Sequence, residues 1–250
     1  MNRSSISAYI SALLLLQFLA VNTFILSPPL HSHAPLRSSS IQRSSPLHAL
    51  KGGINVEPME NAYGSLVNDC ATFFVDSFWS DKAETGSLTT GQRSTLLRRQ
   101  EAEFRNRYGT SRNGKLVVAR MKNLGDIVGV AGVEIADVTA GKNPMSSVPI
   151  MSNLAVGKQT RRRGVGGKLI SGVENIVRGW DSDWLYLYVE STNRKAIKLY
   201  RKKGYRECGL DKDAKSLVPL ENGGLTSKQV VCKVMRKRIN GSFFQKLFNT

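Results

Sequence analysis

The segment from Asn153 to Lys168 constrains the fold of this chain more than any other part of its sequence. A short apolar run is followed there by a polar turn, a triplet of arginines and a glycine-rich stretch. Beyond the glycines, apolar residues recur at spacings that fit one face of a helix. They are Val165, Leu169, Val173, Ile176 and Val177. The sequence therefore predicts a strand that leads through a glycine-rich turn into an amphipathic helix.

A junction of this kind suits an anion. The first N–H groups of a helix have no partner within the helix, and the helix dipole adds partial positive charge there. Glycine lets a phosphate approach the main chain, and arginine adds charge-assisted hydrogen bonds. Two familiar phosphate motifs are excluded, because Leu169 stands where a P-loop needs Ser or Thr and where the dinucleotide fingerprint needs a third Gly.

A second informative block follows the apolar run from Trp184 to Val189, which reads as a buried strand. The next residues, ESTNRKAIKLYRKKGY, have a helical pattern. Asn193, Ala196, Ile197 and Tyr200 fall on one face of that helix, because a step of seven residues is almost two turns.

Together these blocks resemble the GNAT superfamily of N-acyltransferases. Arg161 to Gly166 reads R-x-x-G-x-G, similar to the acyl-CoA pyrophosphate loop of that family, and Asn193 to Tyr205 reads N-x-x-A-x-x-L-Y-x-x-x-G-Y, the pattern after its fifth strand. The two blocks occur in the right order and at the right distance. The resemblance implies an acetyltransferase that uses acetyl-CoA as co-substrate and transfers the acetyl group to an amine by direct attack in a ternary complex, with no metal.

The order of the remaining elements predicts the same fold class. Antiparallel strands followed by strand, helix, strand and helix indicate a mixed α/β layered domain. The resemblance implies a central, mostly antiparallel sheet of about six or seven strands with about four helices, splayed between the fourth and fifth strands. Helices are predicted over 61–79 and 92–108, and a loop over 141–147. Strands are predicted over 54–59, 115–122, 126–137, 148–156, 184–189, 208–210 and 230–236, the last two joined by a loop that contains Gly and Lys.

The resemblance also implies which residues hold the cofactor. The fourth strand would present its backbone to the pantetheine arm, and the glycine turn would hold the pyrophosphate. The pantetheine contacts are Leu154, Ala155 and Val156. The pyrophosphate contacts are Arg161, Arg162, Arg163, Gly164, Val165, Gly166, Gly167 and Lys168.

Tyr200 stands where the family keeps the acid that protonates the departing thiolate, and a phenol with a pKa near 10 is protonated at neutral pH. By the same resemblance Tyr200 packs against the cofactor and Asn193 supports the cofactor or an ordered water. The base is less constrained, because Tyr188 occupies the strand position where some members have Glu. Glu134 and Glu190 are the candidates, each acting through water.

The acceptor is left open among several classes. Deprotonating a lysine side chain at pH 7 costs about 4.6 kcal/mol, whereas an α-amine costs about 1 kcal/mol. With no strong base in view, a protein or peptide N-terminal α-amine is the easier acceptor, and lysine side chains are the next. A small-molecule amine acetyltransferase is the alternative within enzymes, and a non-catalytic RNA- or ribosome-binding protein with this fold is the alternative outside them.

Composition narrows the chemistry further. All three histidines lie within residues 1–50, so the rest of the chain has none for a Ser-His-Asp mechanism or a His-bound metal. The three cysteines are far apart and show no zinc or disulfide spacing. The formal net charge is +17. Such a balance favours acidic partners, so a nucleic-acid or ribosome contact is a weaker expectation.

The first 50 residues read as a targeting presequence, because they contain no Asp or Glu. Residues 1–23 have a short apolar core typical of a signal peptide, too short for a membrane anchor. Residues 24–50 begin with Phe24 and are rich in Ser, Pro and Arg, like an organellar transit peptide. The catalytic domain is then expected at 51–238, with a tail at 239–250 and no stable membrane anchor in the mature form. This bipartite arrangement resembles the presequences of plastids acquired by secondary endosymbiosis, and the secretory pathway is the alternative.

A fluorescent protein fused after residue 50 tests this interpretation. We expect the fusion to enter the plastid, because the signal-like core precedes an acid-free, arginine-bearing segment. Microscopy with a plastid marker is the measurement. A matched fusion of residues 1–23 alone should stop in the secretory pathway, and retention of the longer fusion there would contradict the plastid assignment.

Overall fold

The computed structural model describes residues 53–59, 64–83, 87–109, 113–140 and 143–240. The predicted signal peptide and transit-like segment lie outside these ranges, as does all but the first part of the predicted C-terminal tail. None of the helices within these ranges is long and apolar enough to cross a membrane.

A seven-stranded sheet forms the centre of the domain, in the order β1-β2-β3-β4-β5-β9-β6. All neighbours run antiparallel except β4 and β5, which are parallel. A separate hairpin pairs β7 with β8. The strands are β1 (Ile54–Pro58), β2 (Gly114–Met121), β3 (Ile127–Ala140), β4 (Asn143–Val156), β5 (Trp184–Glu190), β6 (Arg206–Asp211), β7 (Lys215–Pro219), β8 (Leu225–Gln229) and β9 (Cys232–Arg238). The predicted mixed, mostly antiparallel sheet is confirmed.

Within the described ranges, four main helices cover the two faces of the sheet. They are α1 (Ser65–Phe74), α2 (Thr90–Tyr108), α3 (Val165–Gly179) and α4 (Arg194–Lys202). Helix α1 continues through a π-helical turn (Val75–Trp79) into a last short turn (Ser80–Lys82). Helices α1 and α2 share one apolar core with the sheet, and α3 and α4 share the other.

The apolar residues that recur at helical spacing in the sequence lie on the faces that these helices bury. Val165, Leu169, Val173 and Val177 of α3 are all within about 1% of full burial. Ile170 is also fully buried, so the buried stripe is wider than the pattern indicated. Full burial of such a side chain stabilises the fold by about 1.5–3 kcal/mol, which holds the start of α3 firmly against the sheet.

Two segments predicted as loops are strands. Residues 143–147 belong to β4, because they pair with the end of β3, as in Val138 with Met145. The segment between β6 and β9 contains the β7–β8 hairpin. In both places a partner strand satisfies the backbone hydrogen bonds, which outweighs a composition rich in turn-forming residues.

The β7–β8 hairpin is fixed to α2 by one buried side chain. Gln92 is only 2% exposed, and its Nε2 donates to the carbonyls of Leu220 and Gly224, each at 2.8 Å. Leu217 of β7 adds an apolar contact to the core beneath α1 and α2. The hairpin therefore lies on the same face of the sheet as α1 and α2.

Strands β4 and β5 part after a short junction. Their ladder contains only the pairs Ile150 with Tyr186 and Met151 with Leu187. Beyond Met151, β4 stays paired with β3 and β5 stays paired with β9. A gap therefore opens in the middle of the sheet, toward the carboxyl ends of both strands, as the predicted splay requires.

Candidate functional site

The glycine turn lies at the carboxyl end of β4, beside this gap. Gly164 is the residue before α3 and has a φ of 82°, a left-handed conformation that glycine adopts without strain. The N–H of Lys168 donates to the Gly164 carbonyl at 3.0 Å, which is the first hydrogen bond of the helix. The N–H groups of Val165, Gly166 and Gly167 precede that bond and are available to an anion.

A basic groove of about 600 Å³ extends from this turn between α3 and α4. Its lining includes Gly164, Gly167 and the side chains of Lys168, Lys202 and Lys203. The N–H groups of the turn and these three ammonium groups create a positive electrostatic potential that attracts a polyanion. The charge of the groove favours an anionic ligand.

Arg161 joins the turn to the opposite face of the sheet. Its Nε donates to the Val156 carbonyl and its Nη2 to the Ser77 carbonyl, both at 3.0 Å. Ser77 lies in the π-helical turn that follows α1. Arg161, which is predicted to contact the phosphates, thus connects β4 with the end of α1. Like Arg162 and Arg163, it is exposed to solvent.

The β4 side of the gap carries the predicted pantetheine contacts. Ala155 and Val156 pair with Val130 and Gly129 of β3, and no β5 partner is described for them. Just before them the ladder is irregular, and Asn153 has a φ of 54°. A bulge of this kind changes the direction in which backbone groups point at the edge of a strand. The backbone of residues 154–156 therefore borders the gap with no described β5 partner, and the Val156 carbonyl accepts from Arg161.

A polar network under α2 fixes this bulge. The Asn153 amide donates to the Tyr108 hydroxyl at 3.0 Å and to Glu103 at 3.3 Å. The Tyr108 hydroxyl also lies 2.9 Å from the Ser152 Oγ, to which Arg107 donates at 2.8 Å. Burial is the main cause that raises the pKa of Tyr108 above its ordinary value, so this hydroxyl stays protonated and available for hydrogen bonding.

Glu134 belongs to the same network. Its carboxylate forms a two-fold ion pair with Arg107, whose Nε donates to Oε2 at 3.0 Å. Both side chains are only 12% exposed. The structure thus places this candidate base in a buried ion pair that holds β3 and α2 together.

Tyr200 lies on α4, packed edge to face on Tyr205 with ring centroids 5.9 Å apart. It is 7% exposed, and burial raises the pKa of its hydroxyl. Within the described ranges that hydroxyl has no hydrogen-bond partner. It is a neutral proton donor that no neighbouring side chain engages, as the predicted acid requires.

Asn193 caps the helix that carries Tyr200. Its Oδ1 accepts from the Ala196 N–H at 3.1 Å, so its carbonyl oxygen is used at the start of α4. The side chain is exposed to solvent. The side-chain amide nitrogen of Asn193 is therefore the atom left for its predicted contact with the cofactor or an ordered water.

Glu190 ends β5 and lines a second cleft, of about 440 Å³, between the end of α1 and the β7–β8 hairpin. It forms an ion pair with Lys82 and accepts from the Ser216 hydroxyl at 2.9 Å. Burial acts to raise the pKa of Glu190, but the Lys82 ammonium and the Ser216 hydroxyl outweigh it and the pKa is lowered. Glu190 is therefore ionised at neutral pH, in a cleft on the face opposite the basic groove.

Several residues of the site gave no signal in the sequence. Lys82 and Ser216 meet Glu190 across separations of 108 and 26 residues, and Arg107 meets Glu134 across 27. Only the spacing of Glu103 and Arg107, one helical turn apart on α2, was visible as a favourable pair. No group of three or more His, Cys, Asp or Glu side chains suited to a metal is found in the described part of the chain.

Comparison with known proteins agrees with this architecture. A family model described as the acetyltransferase (GNAT) family matches residues 78–205. GCN5-related N-acetyltransferase 4, chloroplastic, of Arabidopsis thaliana is 29% identical over 97 residues, which are 37% of this chain and 33% of that protein. The match thus spans about a third of the length of that relative.

Solved structures show the same fold. A putative phosphinothricin N-acetyltransferase superposes with a TM-score of 0.51 at 16% identity, covering 76% of this chain and 100% of the other. A putative acetyltransferase of the GNAT family from Desulfovibrio desulfuricans gives a TM-score of 0.51 at 13% identity, covering 75% and 100%.

The glycine turn yields a test of cofactor binding. A side chain at Gly164 would point into open space, whereas one at Gly166 would lie 3.2 Å from Leu199 and disturb the packing of α4. We therefore expect Gly164→Asp to weaken acetyl-CoA binding at least tenfold, about 1.4 kcal/mol, because it adds negative charge where the pyrophosphate is predicted to lie.

Gly164→Asn is the matched control, since Asn and Asp have the same size and tolerate a positive φ similarly. Isothermal titration calorimetry on both folded variants measures the difference. If the two variants bind acetyl-CoA equally well, the turn does not hold the pyrophosphate.

Proposed function

Because the chain belongs to the acetyltransferase (GNAT) family, whose members transfer acetyl groups from acetyl-CoA to amines, we propose that it acetylates proteins. The preferred acceptors are N-terminal α-amines, followed by lysine side chains. The observation that carries this proposal is the gap between β4 and β5, with an anion-binding turn at one face and a cleft at the other. Two ligands can meet there from opposite sides.

The cofactor side is assigned to the glycine turn and the basic groove. The N–H groups before Lys168 and the ammonium groups of Lys168, Lys202 and Lys203 would bind the phosphates of acetyl-CoA. The backbone of Leu154 to Val156 would pair with the pantetheine arm. Bound acetyl-CoA supplies the activated thioester, whose leaving group is a thiolate.

Tyr200 is assigned as the acid for that leaving group. Its hydroxyl is buried, neutral and unengaged by other described side chains, so its proton is available for transfer. Burial raises its pKa, so the hydroxyl stays protonated until the thiolate forms as the carbon–sulfur bond breaks. Asn193 contributes indirectly by fixing the start of α4.

Glu190 is the better of the two candidate bases. For Glu134 to take up a proton, its buried ion pair with Arg107 would have to break, and losing one partner of such a pair costs about 3–5 kcal/mol. Glu190 is more exposed and lines the acceptor cleft, so a water can reach it. We therefore assign Glu190 to proton removal through water and Glu134 to positioning of α2 and the β4 bulge.

The preference for α-amines follows from the absence of a strong base. A lowered pKa makes Glu190 a weak base, so the acceptor must lose its proton largely to solvent. That step costs about 3.6 kcal/mol less for an α-amine than for a lysine side chain at pH 7. Similarity to a chloroplastic relative supports a plastid location, where this chain would act on plastid proteins.

A peptide assay tests the acceptor class. The protein is incubated with acetyl-CoA and three matched acceptors: a lysine-free peptide with a free N-terminus, the same peptide blocked at its N-terminus but carrying one lysine, and a small diamine. We expect the free N-terminus to be acetylated at least tenfold faster than the lysine. Acetylation sites are read by mass spectrometry, and turnover of the diamine alone would overturn the protein-acceptor proposal.

Tyr200→Phe tests the acid. The change removes the proton donor and keeps the ring that packs on Tyr205, so kcat should fall at least about tenfold. The affinity for acetyl-CoA should stay within about threefold, because the lost interaction is made in the transition state. Steady-state kinetics and calorimetry measure the two effects.

Tyr205→Phe is the control for that experiment. Tyr205 is fully buried beside Glu174 and Lys237, and its hydroxyl has no assigned role in the reaction. The kcat of this variant should therefore stay within about twofold of that of the original enzyme. An equal loss of rate in both variants would assign the Tyr200 effect to packing.

A further inference from the structure

Lys82 places a side-chain amine inside the acceptor cleft. It ends the last turn after α1, and its Nζ donates to the Glu190 carboxylate and, at 2.7 Å, to the Ser216 hydroxyl. Its ammonium lies 5.0 Å from the centre of the Phe78 ring and 5.8 Å from that of Trp79. These contacts from three elements leave the Lys82 side chain only 22% exposed, so its position in the cleft is well defined.

The strand register places this amine beside the gap. The last backbone pair between the two parallel strands is Met151 with Leu187. Leu154 and Glu190 each lie three residues further along their strands. Leu154 and Glu190 therefore lie nearly opposite each other across the gap, displaced by the one extra residue of the β4 bulge. The carboxylate that holds Lys82 is at the level of the backbone assigned to the pantetheine arm.

The side of the sheet is also correct for an acceptor. Leu187 and Val189 point into the core beneath α3 and α4, so the alternation along β5 turns Glu190 to the opposite face. Lys82 reaches Glu190 from that opposite face, at the end of α1. The cofactor groove and Lys82 are thus on different faces, as the two substrates of a direct transfer must be.

The other lysines are placed differently. Lys228 also lines the cleft, but its side chain is exposed on β8 and no carboxylate partner is described for it. Lys122 is exposed in the turn after β2, remote from the gap. Lys82 alone among the described lysines combines a half-buried amine, an adjacent carboxylate and a position at the acceptor face.

We propose that Lys82 is an internal acetyl acceptor, so that the protein acetylates its own Lys82 Nζ when acetyl-CoA is bound and no other acceptor occupies the cleft. This inference rests on the proposed acetyltransferase function. The Lys82 ammonium loses a proton largely to solvent while Glu190 holds its Nζ in the cleft, and the neutral amine forms a bond to the acetyl carbon. The carbon–sulfur bond breaks as the bonded nitrogen loses its second proton to water, which leaves a neutral amide. The departing thiolate takes a proton from Tyr200, which regains one from solvent.

Self-acetylation would remove the positive charge of Lys82 and its ion pair with Glu190. The last turn after α1 would then lose one of its ties to β5, while the hydrogen bond between Ser216 and Glu190 would remain. A modified chain would present Glu190 as an unpaired carboxylate in the acceptor cleft.

The experiment uses the full-length protein, first deacetylated enzymatically, then incubated with acetyl-CoA at pH 8. Peptide mapping by mass spectrometry follows acetylation of Lys82 and of Lys122 with time. We expect Lys82 to react at least tenfold faster than Lys122, with a rate constant independent of protein concentration. Glu190→Gln keeps the size of the side chain but not its charge, and should slow Lys82 acetylation at least tenfold.

Gly164→Asp separates enzymatic transfer from spontaneous reaction with the thioester. At a subsaturating acetyl-CoA concentration this variant should lose most Lys82 acetylation and keep that of Lys122. If Lys82 reacts no faster than Lys122, or equally fast in Gly164→Asp, the inference is overturned. Peptide acetylation in the same tubes distinguishes the two failures: if peptides are acetylated while Lys82 is not, only the self-acetylation inference fails.

Discussion

The incomplete ladder between β4 and β5 is the constraint on which the rest of this site depends. Two parallel strands in the middle of a sheet normally pair along their whole length, because unpaired buried backbone groups are costly. Here the pairing ends after Met151 and Leu187, yet both strands remain paired on their outer sides. The sheet therefore stays continuous while it offers unpaired backbone on the inner side of the gap, which an extended ligand can complete like an added strand.

Polar groups hold the shape of the gap together with the apolar packing of residues 154–156. Asn153 stands in a left-handed conformation, and its amide is tied through Tyr108 and Glu103 to α2. Arg107 then joins α2 to Glu134 on β3. Because a buried ion pair that loses one partner is destabilised by about 3–5 kcal/mol, this network resists closure of the bulge. Surface ion pairs such as Lys233 with Glu207, worth at most about 1 kcal/mol, could not do so.

The end of α1 contacts groups on both walls of the gap. A π-helical turn changes the hydrogen-bond register of a helix. The Ser77 carbonyl within this turn accepts from Arg161, next to the glycine turn. A few residues later Lys82 binds Glu190 at the opposite wall of the gap. The end of α1 thus spans the mouth of the gap, in contact with both walls. The glycine turn and the cleft at Glu190 are thus both joined to one structural element.

Local patterns in the sequence determined the parts of the protein whose interactions are local. The passage from β4 through Gly164 into α3, and the face of α4 that carries Tyr200, were readable because helix periodicity and turn chemistry act over a few residues. The tertiary structure alone decided the extension of β4, the β7–β8 hairpin and the partners of both candidate bases. Glu134 and Glu190 look alike in the sequence, yet one is buried against Arg107 and the other lines a cleft with Lys82. Their difference arises from partners that lie 27 and 108 residues away, where no local pattern carries information.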